Sequence, residues 1–210
     1  MASTPTLVYW ALNARGTPAY VVAALGNVEL KWDDATANTW PAPKASAPFG
    51  QLPLLKDGDL TLGQSMAIVR YLARKGGVDS DNGDLRSAGI SEMITEEAAD
   101  LFSGLAKSKY GADPLADYTK FFKETLPAQY QYLENLLHAD FFSGAKALQG
   151  DAALYAALYL IRRCSAEHAD AALAGFPKLS AWIARFEAIP SIEKAKAHLD
   201  TLNPYFTWPV

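Results

Sequence analysis

The chain has 210 residues, half of them apolar, and a formal net charge of −4. That length buries a sizeable core and holds one large or two small domains. The acidic balance argues against nucleic acid as the main partner, because phosphate binding needs clustered Lys and Arg, and no apolar run approaches the ~20 residues that cross a bilayer, so no membrane partner is expected.

Met1–Pro5 lack the charged-then-apolar pattern of a signal peptide. Thr6-Leu7-Val8-Tyr9-Trp10 reads as a short apolar strand. Thr17 then suits an N-cap, with Pro18 at the first helical position of a helix through Ala19–Leu25 that Gly26-Asn27 stops. Val28–Trp32 reads as a second strand, and Thr39–Lys44 is too rich in proline for a regular helix. From Pro53 the pattern is strand, Asp57-Gly58 hairpin, strand, and a helix over 66–75 with Ser65 as N-cap and Gly76 at C′. A β-α-β piece followed by a hairpin and a helix is an α/β pattern of the thioredoxin type.

A polar segment, Gly76–Asp84, follows, and beyond it strands vanish. Helices are predicted over 86–111, 115–138, 151–168, 178–187 and 191–199, the last capped by Ser191 after Pro190. The expected fold is therefore α+β: a thioredoxin-like domain over 1–77, a linker over 78–85 and an all-α domain over 86–210. Asp151 stands where it caps its helix without a Ser/Thr-x-x-Asp box. The single cysteine, Cys164, excludes an intrachain disulfide and reads as a packing residue, which fits a reducing, cytoplasmic setting. The three histidines, His138, His168 and His198, have no ligand-like spacing, so no metal site is expected.

The run Gly50-Gln51-Leu52-Pro53-Leu54-Leu55-Lys56-Asp57-Gly58-Asp59-Leu60-Thr61-Leu62-Gly63-Gln64-Ser65 resembles the glutathione-binding half of the cytosolic glutathione transferases. The resemblance spans nearly the whole chain and is strong over about 6–77. It implies a cis peptide bond before Pro53, with the Gln51-Leu52-Pro53 turn pairing with the cysteine of glutathione. It places the γ-glutamyl carboxylate on Gln64 and Ser65, at a helix N-terminus whose free N–H groups favour an anion. Trp40 and Lys44 match residues that reach the glycine end of the peptide. Asp100 matches an aspartate that reaches the γ-glutamyl amine in the other subunit of a homodimer, and reads equally as an exposed helix carboxylate. Phe49 resembles an aromatic that keys into a partner subunit, and also reads as a hinge-loop packing residue.

Tyr9, with Arg15 six residues on, is similar to the tyrosine-type classes, in which the tyrosine hydroxyl stabilises the glutathione thiolate and the arginine assists. The bland alternative for Tyr9 is a strand aromatic. Trp10 and Tyr110 are the candidates for the electrophile pocket, Tyr110 matching a pi-class tyrosine that acts on the second substrate; Phe206 and Trp208 are weaker ones. The Trp40–Gly50 stretch looks sigma-like and Gly50–Gln64 pi-like, so the class stays open. The resemblance thus implies a glutathione transferase acting on hydrophobic electrophiles with glutathione as substrate. Two rivals stand beside it: a glutathione-dependent isomerase of the prostaglandin D synthase type, and a non-enzymatic member that binds ligands or serves a structural role. The absence of a cysteine at the first strand's end disfavours a disulfide oxidoreductase.

Overall fold

A computed structural model describes residues 3–35, 40, 44–45 and 47–209. Of the proline-rich Thr39–Lys44 segment only Trp40 and Lys44 are described; the rest of it lies outside the described residues. The first part is a mixed sheet of β1 (Thr6–Tyr9), β3 (Lys31–Asp34), β4 (Leu54–Asp57) and β5 (Leu60–Gly63) in the order β3-β1-β4-β5. β1 runs parallel to β3 and antiparallel to β4, and the Asp57-Gly58 turn closes β4 on β5 as the sequence predicts. Helices α1 (Thr17–Leu25) and α2 (Ser65–Gly76) cover the sheet through buried Val21, Val22, Ile68, Val69 and Leu72 against Leu7 and Leu55. This is the thioredoxin-like arrangement.

The second part is helical: α3 (Leu85–Tyr110), α4 (Pro114–Lys120), α5 (Leu126–Leu136), α6 (Gln149–Cys164), α7 (Ala166–Leu173), α8 (Pro177–Glu187) and α9 (Pro190–Thr201). Nearly every residue of α6 is buried, with α3 packed along it. Asp84 caps α3 by accepting a hydrogen bond from the Ser87 N–H at 2.7 Å.

Several local expectations are corrected. Val28–Trp32 shifts to Lys31–Asp34, because the Lys31 N–H bonds the Pro5 carbonyl at 3.0 Å and sets Lys31 opposite Thr6. Gly16, not Thr17, precedes α1, and Thr17 opens it. Gln64 rather than Ser65 is the N-cap of α2; Ser65 is its first helical residue. Gly76 stays inside α2, where its missing side chain lets the Gly26 backbone approach (a Cβ there would lie 2.7 Å from it), and Gly77 takes the left-handed C-cap instead. The predicted 115–138 helix is interrupted by a π-helical turn, Phe121–Thr125, just before Pro127. The predicted 151–168 helix breaks at Ser165, whose hydroxyl accepts the His168 N–H and caps α7. Ser191 caps nothing; Ile189 is the N-cap and Pro190 opens α9. Strands do not wholly vanish: the tail pairs as β6 (Asn203–Pro204) with β2 (Leu12–Asn13), in parallel.

Candidate active site

Tyr9 closes β1 and is 3% exposed. Its ring packs at 5.4 Å from Trp10 and edge-on at 6.1 Å from Trp32. Its hydroxyl oxygen accepts the Arg15 N–H at 3.2 Å, which leaves the O–H proton free to be donated. Burial pushes the Tyr9 phenol up to about 12, so at neutral pH it is a donor and not an oxyanion. Gly16 makes this fit possible: a Cβ there would stand 2.6 Å from the Tyr9 ring and 3.1 Å from the Trp32 indole. The loop is tied down by the Ala11 N–H on Asp34 at 3.0 Å, and by the Asn13 amide on the Leu199 carbonyl at 2.8 Å.

Tyr9 faces a cavity of about 470 Å³. One wall comes from the β/α part: Gln51, Leu52 and Pro53, joined by a cis Leu52–Pro53 bond, with Gln64 and Ser65 at the start of α2. Gln64 has φ +69°, a left-handed conformation uncommon outside glycine. The first N–H groups of α2 have no partner inside the helix, so this end of the cavity carries donors and a positive dipole end. The opposite wall is largely aromatic, from Phe102 and Tyr110, with Ala106 between them, on α3 and Tyr205 and Phe206 on the tail. The Arg15 guanidinium lies 4.8 Å above the Phe102 ring, and among the described lining residues it is the one formal charge. Such a space suits a peptide anion at one end and an apolar group at the other.

Residues 6–74 match the family description "Glutathione S-transferase, N-terminal domain", and residues 99–197 match "Glutathione S-transferase, C-terminal domain". The chain is 31% identical over 205 residues to glutathione S-transferase P of Homo sapiens, covering 94% of each. It belongs to the glutathione S-transferase family. Glutathione S-transferase P 1 of Xenopus laevis is likewise 31% identical, over 90% of this chain and 89% of its own. Among solved structures, the Pi-class glutathione S-transferase of Onchocerca volvulus superposes with a TM-score of 0.82 at 23% identity, covering 94% of both chains. The glutathione S-transferase of Ascaris lumbricoides does so with 0.80 at 24%, over 97% of this chain and all of its own. At these identities the two structures speak for the glutathione S-transferase fold alone.

Within this glutathione S-transferase, eleven of the sequence-predicted site residues line the cavity: Tyr9, Trp10, Arg15, Trp40, Gln51, Leu52, Pro53, Gln64, Ser65, Tyr110 and the weaker candidate Phe206. Three do not. Lys44 is exposed beside Gly50, and Asp100 is exposed on α3, next to Glu97, whose carboxyl is raised by its own burial and then by the Asp100 charge. Trp208 is not a pocket residue: its indole stacks on His168, centroids 3.8 Å apart, because the tail turns away after Phe206. Cys164 is buried, with its thiol pushed up to about 11, which makes it inert. Sequence reasoning missed Gly16, Phe102, Ala106 and Tyr205. Phe102, Ala106 and Tyr110 recur every four residues on α3, a stripe that a helical reading anchored on Tyr110 would have found. Among the described residues no group of three or more His, Cys, Asp or Glu is placed to hold a metal ion, and no helix is long and apolar enough to cross a membrane.

Proposed function

We propose that this chain is a cytosolic, homodimeric glutathione transferase of the tyrosine type that conjugates glutathione, as substrate, to hydrophobic electrophiles. One observation carries the reading: the free O–H of Tyr9, the Gln51–Pro53 turn and the Gln64–Ser65 helix start face one carboxylate-free cavity. The division of labour follows the two parts. Residues 1–77 hold the peptide, 78–85 link, and 86–210 supply the apolar wall for the electrophile. The γ-glutamyl carboxylate sits on the Ser65 hydroxyl and the first N–H groups of α2, with the Gln64 amide beside it. The Gln51–Leu52 backbone pairs with the cysteine, and Trp40 and Lys44 hold the glycine carboxylate. The thiol gives its proton to solvent, Tyr9 donates a hydrogen bond to the resulting thiolate, and the positive Arg15 guanidinium favours the negative charge on the sulfur. The sulfur lone pair then attacks the electrophilic carbon held between Trp10, Phe102, Phe206 and Tyr110, and the leaving group departs with the bonding electrons.

In this reading the second subunit supplies Asp100 to the γ-glutamyl ammonium, and the exposed Phe49 ring seats in the partner. The test is conjugation of glutathione to 1-chloro-2,4-dinitrobenzene, with Ser65→Ala as the binding probe. Ser65→Ala should raise the KM for glutathione about ten-fold, the worth of one charge-assisted bond, with kcat little changed. A wild-type chain that binds no glutathione ends the reading. One that binds it but conjugates nothing moves the assignment to the isomerase or ligand-binding alternatives.

A further inference from the structure

At the cavity's aromatic wall two phenols meet. The hydroxyls of Tyr110, on α3, and Tyr205, in the tail, are hydrogen-bonded to one another, and both residues line the cavity that holds Tyr9. Tyr205 is held from several sides. The Lys109 ammonium donates to its carbonyl at 2.8 Å and stands 4.6 Å over its ring, while the β2–β6 pairing and the buried Phe206, edge-on at 5.5 Å to Phe102, anchor the tail around it. Tyr110, by contrast, is 67% exposed and has no such packing. Tyr9, Tyr110 and Tyr205 thus line one cavity.

We infer that Tyr205 is a positioning residue for Tyr110: its O–H donates to the Tyr110 oxygen, so that the Tyr110 proton points into the cavity toward the carbonyl oxygen of a conjugated enal or enone. The inference rests on the transferase reading above. Either hydroxyl can donate in this pair; Tyr205 is the anchored member, and the exposed Tyr110 is the one free to turn its proton toward a ligand.

Chemically, the thiolate adds to the β-carbon of the acceptor. A C–S bond forms, the C=C π pair shifts, and the carbonyl oxygen takes up the negative charge. Tyr110 gives that oxygen its proton, the enol product reverts to the carbonyl form, and the Tyr110 phenolate, accepting from Tyr205, regains a proton from solvent. Net, one thiol adds across one double bond. Displacement of chloride from an arene needs no such proton, because the departing anion carries the charge away. The two acceptor types therefore separate Tyr205's effect on Tyr110 from simple packing.

The experiment compares wild type, Tyr205→Phe, Tyr110→Phe and the double variant with trans-2-nonenal and with 1-chloro-2,4-dinitrobenzene. Tyr205→Phe keeps the ring under Lys109 and removes only the hydroxyl. Its kcat/KM ratio of enal to chloroarene should fall about five-fold, the worth of one neutral hydrogen bond, with the KM for glutathione steady. In the Tyr110→Phe background the same substitution should shift that ratio by less than about two-fold, because the two hydroxyls act as a unit. An equal fall with both acceptors, or equal effects in both backgrounds, overturns the inference while leaving the transferase reading intact. A wild-type chain that conjugates neither acceptor removes that reading and this inference with it.

Discussion

Replacing Tyr9 with phenylalanine is expected to lower glutathione conjugation at pH 7 by about 10- to 100-fold, a deficit that shrinks as the pH rises past about 8.5. A thiol with an ordinary pKa near 8.5 is only about 3% ionised at pH 7. Lowering that value by ~2 requires about 2.7 kcal/mol in favour of the thiolate. A hydrogen bond to a charged acceptor supplies roughly 1.5–3 kcal/mol, more in a dry site than in water. Tyr9 is built to give such a bond. Its oxygen already accepts from the Arg15 N–H, and burial holds the phenol near 12, so the proton stays on Tyr9 through the working range.

Without the hydroxyl, the bound thiol returns toward its solution value and the thiolate fraction at neutral pH collapses. At alkaline pH solvent removes the proton unaided, and the variant recovers. The measurement is kcat/KM for 1-chloro-2,4-dinitrobenzene between pH 6 and 9.5, with an ultraviolet titration of bound glutathione alongside. A deficit of equal size at every pH would mean that Tyr9 acts through packing against Trp10 and Trp32. No deficit at all would move the thiolate's support to Arg15.

Much of the peptide-binding wall was legible because its signals are local. The Asp57-Gly58 hairpin, the proline before β4 and the helix after Ser65 are each encoded within a few residues. The finer geometry was not. The left-handed φ of Gln64 has no glycine to announce it, and it is what makes Gln64 the cap and Ser65 the first helical residue. Gly16 reads as an ordinary loop glycine until the Tyr9 and Trp32 rings are seen against it. The tail was harder still. β6 pairs with β2 across some 190 residues of chain, Leu12 opposite Asn203, and no local propensity specifies such a pairing. Tyr205 reaches the cavity only through that long-range contact, so the sequence carried Tyr110 without its partner. In the helical part, Ser165 ended α6 because its hydroxyl found the His168 N–H, a competition that an apolar period does not register.

Truncating Asp151 to alanine should cost about 3 kcal/mol of stability and lower Tm by roughly 6–12 °C at fixed protein concentration, with little effect on the KM of folded enzyme. The sequence places Asp151 as a lone helix cap. It lies at the third position of α6 and is 1% exposed. One oxygen accepts the Leu148 N–H at 3.0 Å; the other accepts the Phe142 N–H at 3.2 Å and the Trp182 indole N–H at 2.9 Å. Alanine would orphan all three buried donors, at about 1–3 kcal/mol each, partly offset by relief of the buried charge. That relief is visible in the titration: burial raises the Asp151 carboxyl to about 6 in spite of its three donors, a rise from 3.8 worth about 3 kcal/mol. The sign follows from linkage. Between about pH 4 and 6 the folded chain holds a proton that the unfolded chain has released, so the group's contribution is full below about pH 4 and is lost as pH rises through 6. Asp57 works in the opposite sense. Its hydrogen bonds from Lys75, Tyr71 and Ser3 hold it below the usual carboxylate range, and its contribution is lost as the pH falls. The raw pH profile therefore mixes both signs, and Asp151→Asn, which does not titrate, isolates one of them. Between pH 7 and pH 5 the stability advantage of wild type over Asp151→Asn, measured by urea unfolding, should grow by about 1 kcal/mol. If it shrinks instead, the three hydrogen bonds outweigh burial and Asp151 is an ordinary stabilised carboxylate.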